Sequence, residues 1–416
     1  MALEISEAPW YGKNGIFMKD YKYIIVGGGM TADSALEGIR EVDELGTIAI
    51  FSEEKDPPYN RPPLSKSLWK GDSIESVWRS TAKGKAEFFG STRVIETDPS
   101  AKIVRTPDGK TYHYQKLLLA TGGKPRKLPL GGSNRTYSED DIIYYRTLED
   151  YRRLRALSEQ ASDFVVIGGG FIGSEIAAAL ASNGKNVTMI FPEDGIGAKV
   201  YPRTLSAFLK AYYEEKGVSV ISGGSVVDID NKNGRLLVRS DKGGGISADA
   251  VVAGLGIVPS VDLAKVAGIA TDDGIIVDEF SLTTKPDVYA AGDVANFYSH
   301  ALGRRMRVEH EDNANTMGRI AGRNMAGALE PYHHLPFFYS DLFDLGYEAV
   351  GELDSRLEVF EDWEEEFRKG VIYYGKDGYV RGVLLWNTWG KVDEAREAIT
   401  SKKKFARESL KGLIQD

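Results

Sequence analysis

The chain has no cysteine among its 416 residues. That absence removes thiol nucleophiles, CxxC redox pairs, cysteinyl zinc sites and iron–sulfur clusters held by the protein's own thiolates. Histidine is scarce: of five residues only His333 and His334 are adjacent, so no metal centre is expected. Positive charge is also in deficit. A net charge of -9 argues against a nucleic-acid partner and gives no attraction to acidic membrane surfaces. No apolar run approaches the roughly 20 residues that span a bilayer. The opening MALEISEAPWYGKNGIF lacks the apolar core of a secretory signal and carries Glu4 and Glu7, unlike an Arg-rich transit peptide, so a cytoplasmic location is the default expectation. Redox chemistry in such a chain has to be done by a bound organic cofactor.

Glycine, by contrast, is plentiful and twice forms a pattern with a physical purpose. In IIVGGGMTA the spacing is Gly27-x-Gly29-x-x-Ala32, between a predicted strand and a predicted helix. The first glycine permits a tight turn, and the second lets backbone N–H groups approach a pyrophosphate. The third small residue lets the helix pack on the strand, and the helix N-terminus stabilises phosphate charge. An acid that accepts ribose hydroxyls should follow about 20 residues on. Ser52-Glu53-Glu54 stands there, and Glu53 is the chosen residue. VVIGGGFIGSE repeats the pattern as Gly168-x-Gly170-x-x-Gly173, with Glu193 at the end of NVTMIFPE. A glutamate there favours NADH over NADPH, a preference that Lys199 and Arg203 downstream soften. The bland alternative is a pair of Gly-rich loops closing ordinary βαβ units. Two dinucleotide sites in one chain point to FAD paired with NAD(H), the flavin accepting hydride from the nicotinamide.

The pattern of elements predicts an α/β fold with two Rossmann-like domains, plus a C-terminal α+β domain on an antiparallel sheet. Residues 1–20 form an arm. Residues 21–140 and 262–330 make the FAD-binding domain, 141–261 the inserted NAD(H)-binding domain and 331–416 the C-terminal domain. PPYNRPPLSK, with four prolines, is expected to be a rigid irregular loop. Asp377-Gly378 marks a hairpin, and Trp386 and Trp389 are expected to fill the C-terminal core.

Several motifs coincide with a known family. SEEKDPPYNRPPLSK, ATGGKPR, GGGFIGSE, FPEDGIGAKVYP, KPDVYAAGDVANFY, GRRMRVEHEDNANTMGRIAGRNMAG and PFFYSDLFDLGYEAVG resemble the FAD-dependent ferredoxin reductases that serve oxygenases. They are still more similar to apoptosis-inducing factor and its prokaryotic relatives. The resemblance runs from about residue 20 to the end and implies a glutathione-reductase-like fold. It implies that Gly27, Gly29, Ala32, Glu53, Arg61, Lys66, Thr121, Gly122, Arg126, Asp293 and His310 border FAD. Tyr339 falls where the family usually has a Trp beside the ring. Gly168, Gly170, Phe171, Ile172, Gly173, Glu175, Glu193, Lys199, Gly256 and Glu309 match positions lining NAD. Glu175 matches a glutamate that pairs with the lysine corresponding to Lys66.

The residues support that pairing on physical grounds as well. A lysine beside the flavin N5 favours the electron-rich reduced ring, and a carboxylate supplies the counter-charge a lysine needs in a partly desolvated site. The blander reading makes Glu175 a first-turn acid offsetting the helix dipole. His333 and His334 read as surface or packing residues.

Two functions follow as expectations. One is an NADH:acceptor oxidoreductase, with Lys66 and Glu175 in catalytic roles, passing electrons to an acceptor such as a [2Fe–2S] ferredoxin without a redox-active disulfide. The other is a redox-switched protein whose long-lived FADH⁻–NAD⁺ complex controls dimerisation or partner binding. A monodehydroascorbate-type reductase uses the same scaffold, but no sequence feature selects it. The expected partners are NADH and an electron-acceptor protein, with homodimerisation left open.

Overall fold

The computed structural model describes residues 19–130, 136–232 and 234–414; the expected arm lies outside them, except that Lys19 and Asp20 open the first strand. The chain divides into two units. One holds the chain up to Asn60, Val77–Gly123 and Pro259–His334; the other holds Arg61–Ser76, Lys124–Val258 and the chain from Leu335 onward.

The first unit is built on strand Lys19–Val26, flanked in parallel by Ile48–Phe51 and Thr111–Leu119. Glu87–Phe89 and Val288–Ala290 extend the parallel set at either side. Tyr23, Ile24 and Ile25 are all buried, the unbroken apolar run of a strand covered on both faces. Helix Met30–Val42 packs on helix Glu311–Met325 with backbone nearly touching backbone. A Cβ added at Gly38 would lie 2.0 Å from the Arg319 carbonyl oxygen, and one at Gly322 2.0 Å from that of Ala35. GRIAGRNMAG is therefore a packing motif of this unit.

The second unit holds a five-stranded parallel sheet in the order Val218–Ser222, Asn186–Phe191, Asp163–Ile167, Ala250–Ala253, Ile142–Tyr144. A three-stranded antiparallel sheet follows the chain's course after Ser222. From Phe337 onward a five-stranded antiparallel sheet forms, with helix Val392–Thr400 on it. Its hairpin turns at Asp377 and Gly378, both left-handed at φ 54° and 80°, as a two-residue turn matching strand twist requires.

Two expectations need correction here. PPYNRPPLSK is not irregular throughout: Pro62–Ser65 forms a 3-10 turn, and a second, Ser67–Lys70, follows it. Pro62 and Pro63 occupy the first positions of the turn, where a missing N–H leaves no bond unmade. Trp386 is fully buried and stacked on Tyr347, but Trp389 is half exposed. Trp386 closes strand Tyr379–Trp386 with its indole N–H on the Phe367 carbonyl, whereas Trp389 lies beyond the strand end, with its ring over Gly346. Among the described residues no helix is long and apolar enough to cross a membrane, and no group of three or more side chains is placed to hold a metal.

Candidate functional site

In the first unit, strand pairing gathers one set of predicted residues. Val26 lies beside Phe51 and Leu119, and Leu119 beside Ala290. The segments that follow leave the same carboxyl edge: Gly27 to Ala32, Ser52-Glu53, Ala120 to Gly122, and Ala291 to Asp293. This edge is where open α/β sheets bind ligands. Gly27 has φ 124°, and a Cβ there would sit 2.1 Å from the Ala120 oxygen. Gly29 caps the following helix without a side-chain bond, leaving first-turn N–H groups to a phosphate. The cradle fits a dinucleotide. Glu53 is exposed at the sheet edge, 3.2 Å from Arg93. Thr121 Oγ1 donates to the Ser260 carbonyl at 2.8 Å. Arg307 Nη1 donates to the Asp293 carbonyl at 3.1 Å and to the Glu309 carboxylate at 2.6 Å, and His310 is the N-cap residue of helix Glu311–Met325.

The same unit contains a cluster that the sequence did not disclose. Asp33, buried in the first turn of helix Met30–Val42, accepts from Arg79 Nε at 2.5 Å and from the Thr81 hydroxyl. Arg79 also donates to Asn60 at 2.9 Å and Ser34 at 3.0 Å. Tyr59 bridges to Trp78, and Asn60 N–H donates to the Val77 carbonyl at 2.8 Å. Arg79 thus clamps the neck from which residues 61–76 leave and return.

In the second unit, Ile167 pairs with Ile190 on one side and Ala253 on the other. Gly168 to Glu175, Pro192-Glu193 and Gly254 to Gly256 therefore emerge side by side. Gly168 has φ 115°, and a Cβ at Gly173 would lie 2.0 Å from the Gly168 oxygen, whereas one at Gly170 meets nothing within 4 Å. The turn is closed on its own backbone and open on the side where a pyrophosphate would approach, so this cradle also fits a dinucleotide. Glu193 pairs with Lys199 at 2.6 Å. Ser355 holds that loop through the carbonyls of Ala198 at 2.7 Å and Lys199 at 3.0 Å. Phe171 packs on Phe338 with ring centres 5.5 Å apart, Ile172 is exposed, and the Gly256 carbonyl accepts from Arg126 N–H at 2.9 Å.

Glu175, on the second-cradle helix Phe171–Ser182, is 3% exposed. Its Oε1 accepts from Lys66 Nζ at 2.8 Å and Ser340 Oγ at 2.5 Å, and its Oε2 from Ser65 Oγ at 2.5 Å. Lys66 is itself mostly buried, with Nζ 5.2 Å from the Tyr339 ring centre. Its loop is pinned nearby. Leu64 carbonyl accepts from Tyr145 Oη at 2.5 Å and Trp69 Nε1 at 2.9 Å, and Arg61 donates to the Arg146 carbonyl at 3.1 Å. Burial above all pushes the Tyr213 and Tyr347 phenols well up, and neighbouring Tyr201 and the Glu175 charge add to it. They stay neutral. A first-turn acid serving only the helix dipole does not describe Glu175, the fifth residue of its helix, which three side chains hold. Ser65 and Ser340 were missed by sequence reasoning. Ser65 had a signal, its place beside Lys66; Ser340 had none.

Residues 21–318 match the pyridine nucleotide-disulphide oxidoreductase family, and residues 321–363 and 359–401 match the C-terminal domain of mitochondrion-associated apoptosis-inducing factor. The chain belongs to the pyridine nucleotide-disulphide oxidoreductase family. It is 37% identical over 426 residues to mitochondrial apoptosis-inducing factor 1 of Dictyostelium discoideum, covering 93% of this chain and 79% of that protein. It is 34% identical over 404 residues to the ferredoxin reductase subunit of 5,5'-dehydrodivanillate O-demethylase from Sphingobium, covering 94% and 96%. Putidaredoxin reductase, solved in covalent complex with putidaredoxin, superposes with a TM-score of 0.87 at 28% identity, over 94% of this chain and 95% of that one. The chain is accordingly a flavoprotein oxidoreductase of the FAD and NAD(H) type. The disulphide in the family's name has no counterpart here, because the sequence contains no cysteine.

Proposed function

We propose that this protein oxidises NADH and passes the electrons from FAD directly to a one-electron carrier protein such as a [2Fe–2S] ferredoxin. The observation that carries the reading is a buried lysine–carboxylate pair, Lys66–Glu175, in a chain without a thiol to relay electrons. When bound, the flavin accepts a hydride equivalent from the nicotinamide and returns single electrons. Gly27, Gly29, Ala32, Glu53, Thr121, Gly122, Asp293 and His310, with Arg61, Lys66, Arg126 and Tyr339, are assigned to FAD. Gly168, Gly170, Phe171, Ile172, Gly173, Glu175, Glu193, Lys199, Gly256 and Glu309 are assigned to NAD(H). The Lys66 ammonium stabilises negative charge developing on the ring, and Glu175 with its two serines fixes the ammonium's direction. Glu193 accepts the ribose hydroxyls and favours NADH. The sequence-based domain assignment and a cytoplasmic location belong to the same proposal. The Sphingobium relative is named as a ferredoxin reductase subunit, which supports the choice of acceptor.

A second reading is favoured by the match of residues 321–401 to the apoptosis-inducing-factor C-terminal domain: NADH reduction forms a long-lived complex that changes oligomeric state. Anaerobic titration with NADH, followed by a panel of acceptors with flavin absorbance as readout, tests both. Rapid bleaching and rapid reoxidation by a ferredoxin are expected. Slow reoxidation with NADH-dependent dimerisation selects the second reading, and a protein that stays colourless in excess FAD ends both.

A further inference from the structure

The second unit contains a crevice of ≈ 50 Å³ whose inner end is Lys66 and Glu175 and whose lining includes Lys70 and Asp341. It follows one face of helix Phe171–Ser182, where Ala178, Ala179 and Ser182 succeed Glu175 at helical spacing. Glu175 to Ser182 spans roughly 10 Å of helix axis. The inner end is buried, with Glu175 3% and Lys66 11% exposed. The outer end reaches solvent, for Lys70 and Asp341 pair at 3.0 Å with side chains 59% and 34% exposed. Such a volume admits a few waters, and hydroxyl, ammonium and carboxylate groups along it supply their partners.

The proposed reaction leaves a proton to be released. NADH given to two one-electron carriers yields NAD⁺, two reduced carriers and one proton: the nicotinamide C4–H bond breaks, both electrons leave to the carriers, and H⁺ remains. Buried Lys66 and Glu175 cannot shed that proton into bulk water directly. We infer that Glu175 relays it from Lys66 into this crevice and out past Lys70 and Asp341, an inference that rests on the functional reading above. Lys66 Nζ gives a proton to Glu175 Oε1 across 2.8 Å and takes up the proton left by NADH oxidation, and the carboxyl passes its proton to crevice water. Ser65 and Ser340 suit this traffic. A hydroxyl donates to a carboxylate and can instead accept from a carboxylic acid, so the pair keeps its geometry in either state.

The test uses the flavin-loaded protein with Ala179→Leu, which fills the crevice, and Asp341→Asn, which alters only its exposed rim and keeps the test open should Ala179→Leu fail to fold. NADH reduction of the flavin is followed first, then reoxidation by a one-electron acceptor with a pH-indicator dye in weak buffer, in H₂O and D₂O. Both variants should be reduced by NADH at the wild-type rate. Proton release during reoxidation should slow at least about tenfold in Ala179→Leu, with an enlarged solvent isotope effect, and severalfold in Asp341→Asn, with rescue by the basic, proton-accepting form of small buffers. Folded variants with unchanged proton release and isotope effect overturn the relay alone. A wild-type protein that NADH does not reduce removes the functional reading and the relay together.

Discussion

Two helices begin on the same glycine pattern, and each buries an acid near its start: Asp33, the fourth residue of Met30–Val42, and Glu175, the fifth of Phe171–Ser182. Their partners differ in kind. Asp33 holds a guanidinium, a donor that does not release its proton, together with the Thr81 hydroxyl. Arg79 also donates to Asn60 and Ser34, so the cluster fixes chain segments to one another. Glu175 holds an ammonium, which can give up a proton, and two hydroxyls, which can reverse the sense of their bonds. One acid is an anchor, and the other belongs to the proposed chemistry. An acid at the head of a cradle helix therefore does not reveal its role; the donors around it do.

Removing either cation should break this comparison most sharply. Lys66→Met and Arg79→Met each leave a buried carboxylate without its counter-charge, and each should lower stability by about 3 kcal/mol in denaturant melts. Their effects on flavin reduction should diverge. Lys66→Met is expected to slow reduction by NADH about a hundredfold, since it removes the charge proposed to stabilise the reduced ring. Arg79→Met should leave the rate per bound flavin unchanged. Equal loss of rate in the two variants would show that Lys66, too, merely anchors.

The third position of each cradle sharpens the contrast. Ala32 already carries a methyl there and is fully buried, whereas a Cβ at Gly173 would press 2.0 Å from the Gly168 oxygen. Gly173→Ala should therefore lose about 2 kcal/mol and raise KM for NADH, because the turn proposed to receive the pyrophosphate has to move. Ala32→Gly should lose about 1 kcal/mol through helix propensity, with little effect on KM. Smaller still, Ser340→Ala should lose about 1 kcal/mol for one hydrogen bond while keeping the ion pair, measurable by chemical denaturation.

Both cradles, their strand-end acids and the hairpin at Asp377-Gly378 were legible in the sequence because each rests on contacts local in the chain. Strand, turn and helix lie within some ten residues, and the acid follows at a spacing set by one βαβ unit. Lys66 and Glu175 were paired only through family likeness, since 109 residues separate them. Ser340 left no trace. Along a strand every second residue faces the same way, and nothing in PFFYSDLF says which face meets a helix more than 160 positions earlier. Arg79 was hidden because its partner Asp33 lies 46 positions earlier, and Trp389 was misjudged because apolar bulk says nothing of where a strand ends. The prolines of PPYNRPPLSK were read as breakers, although at the head of a 3-10 turn they break nothing.

The smallest expected effect concerns the acids at the two strand ends, each beside a base. Glu53 and Arg93 are both more than half exposed at 3.2 Å, a pair of little energetic weight. Glu193 is only a quarter exposed and touches Lys199 at 2.6 Å, with the loop of Lys199 held by Ser355. A 2'-phosphate approaching Glu193 would meet a charge already half answered. Lys199→Ala should therefore increase the preference for NADH over NADPH, by about fivefold if the exposed lysine contributes about 1 kcal/mol to phosphate binding. Glu193→Gln should erase most of the preference, and Arg93→Ala should leave it untouched. Dissociation constants for 2',5'-ADP and 5'-AMP isolate this term from hydride transfer, because neither fragment carries a nicotinamide. A Lys199→Ala protein with an unchanged ratio of the two constants would leave Glu193 alone in setting selectivity.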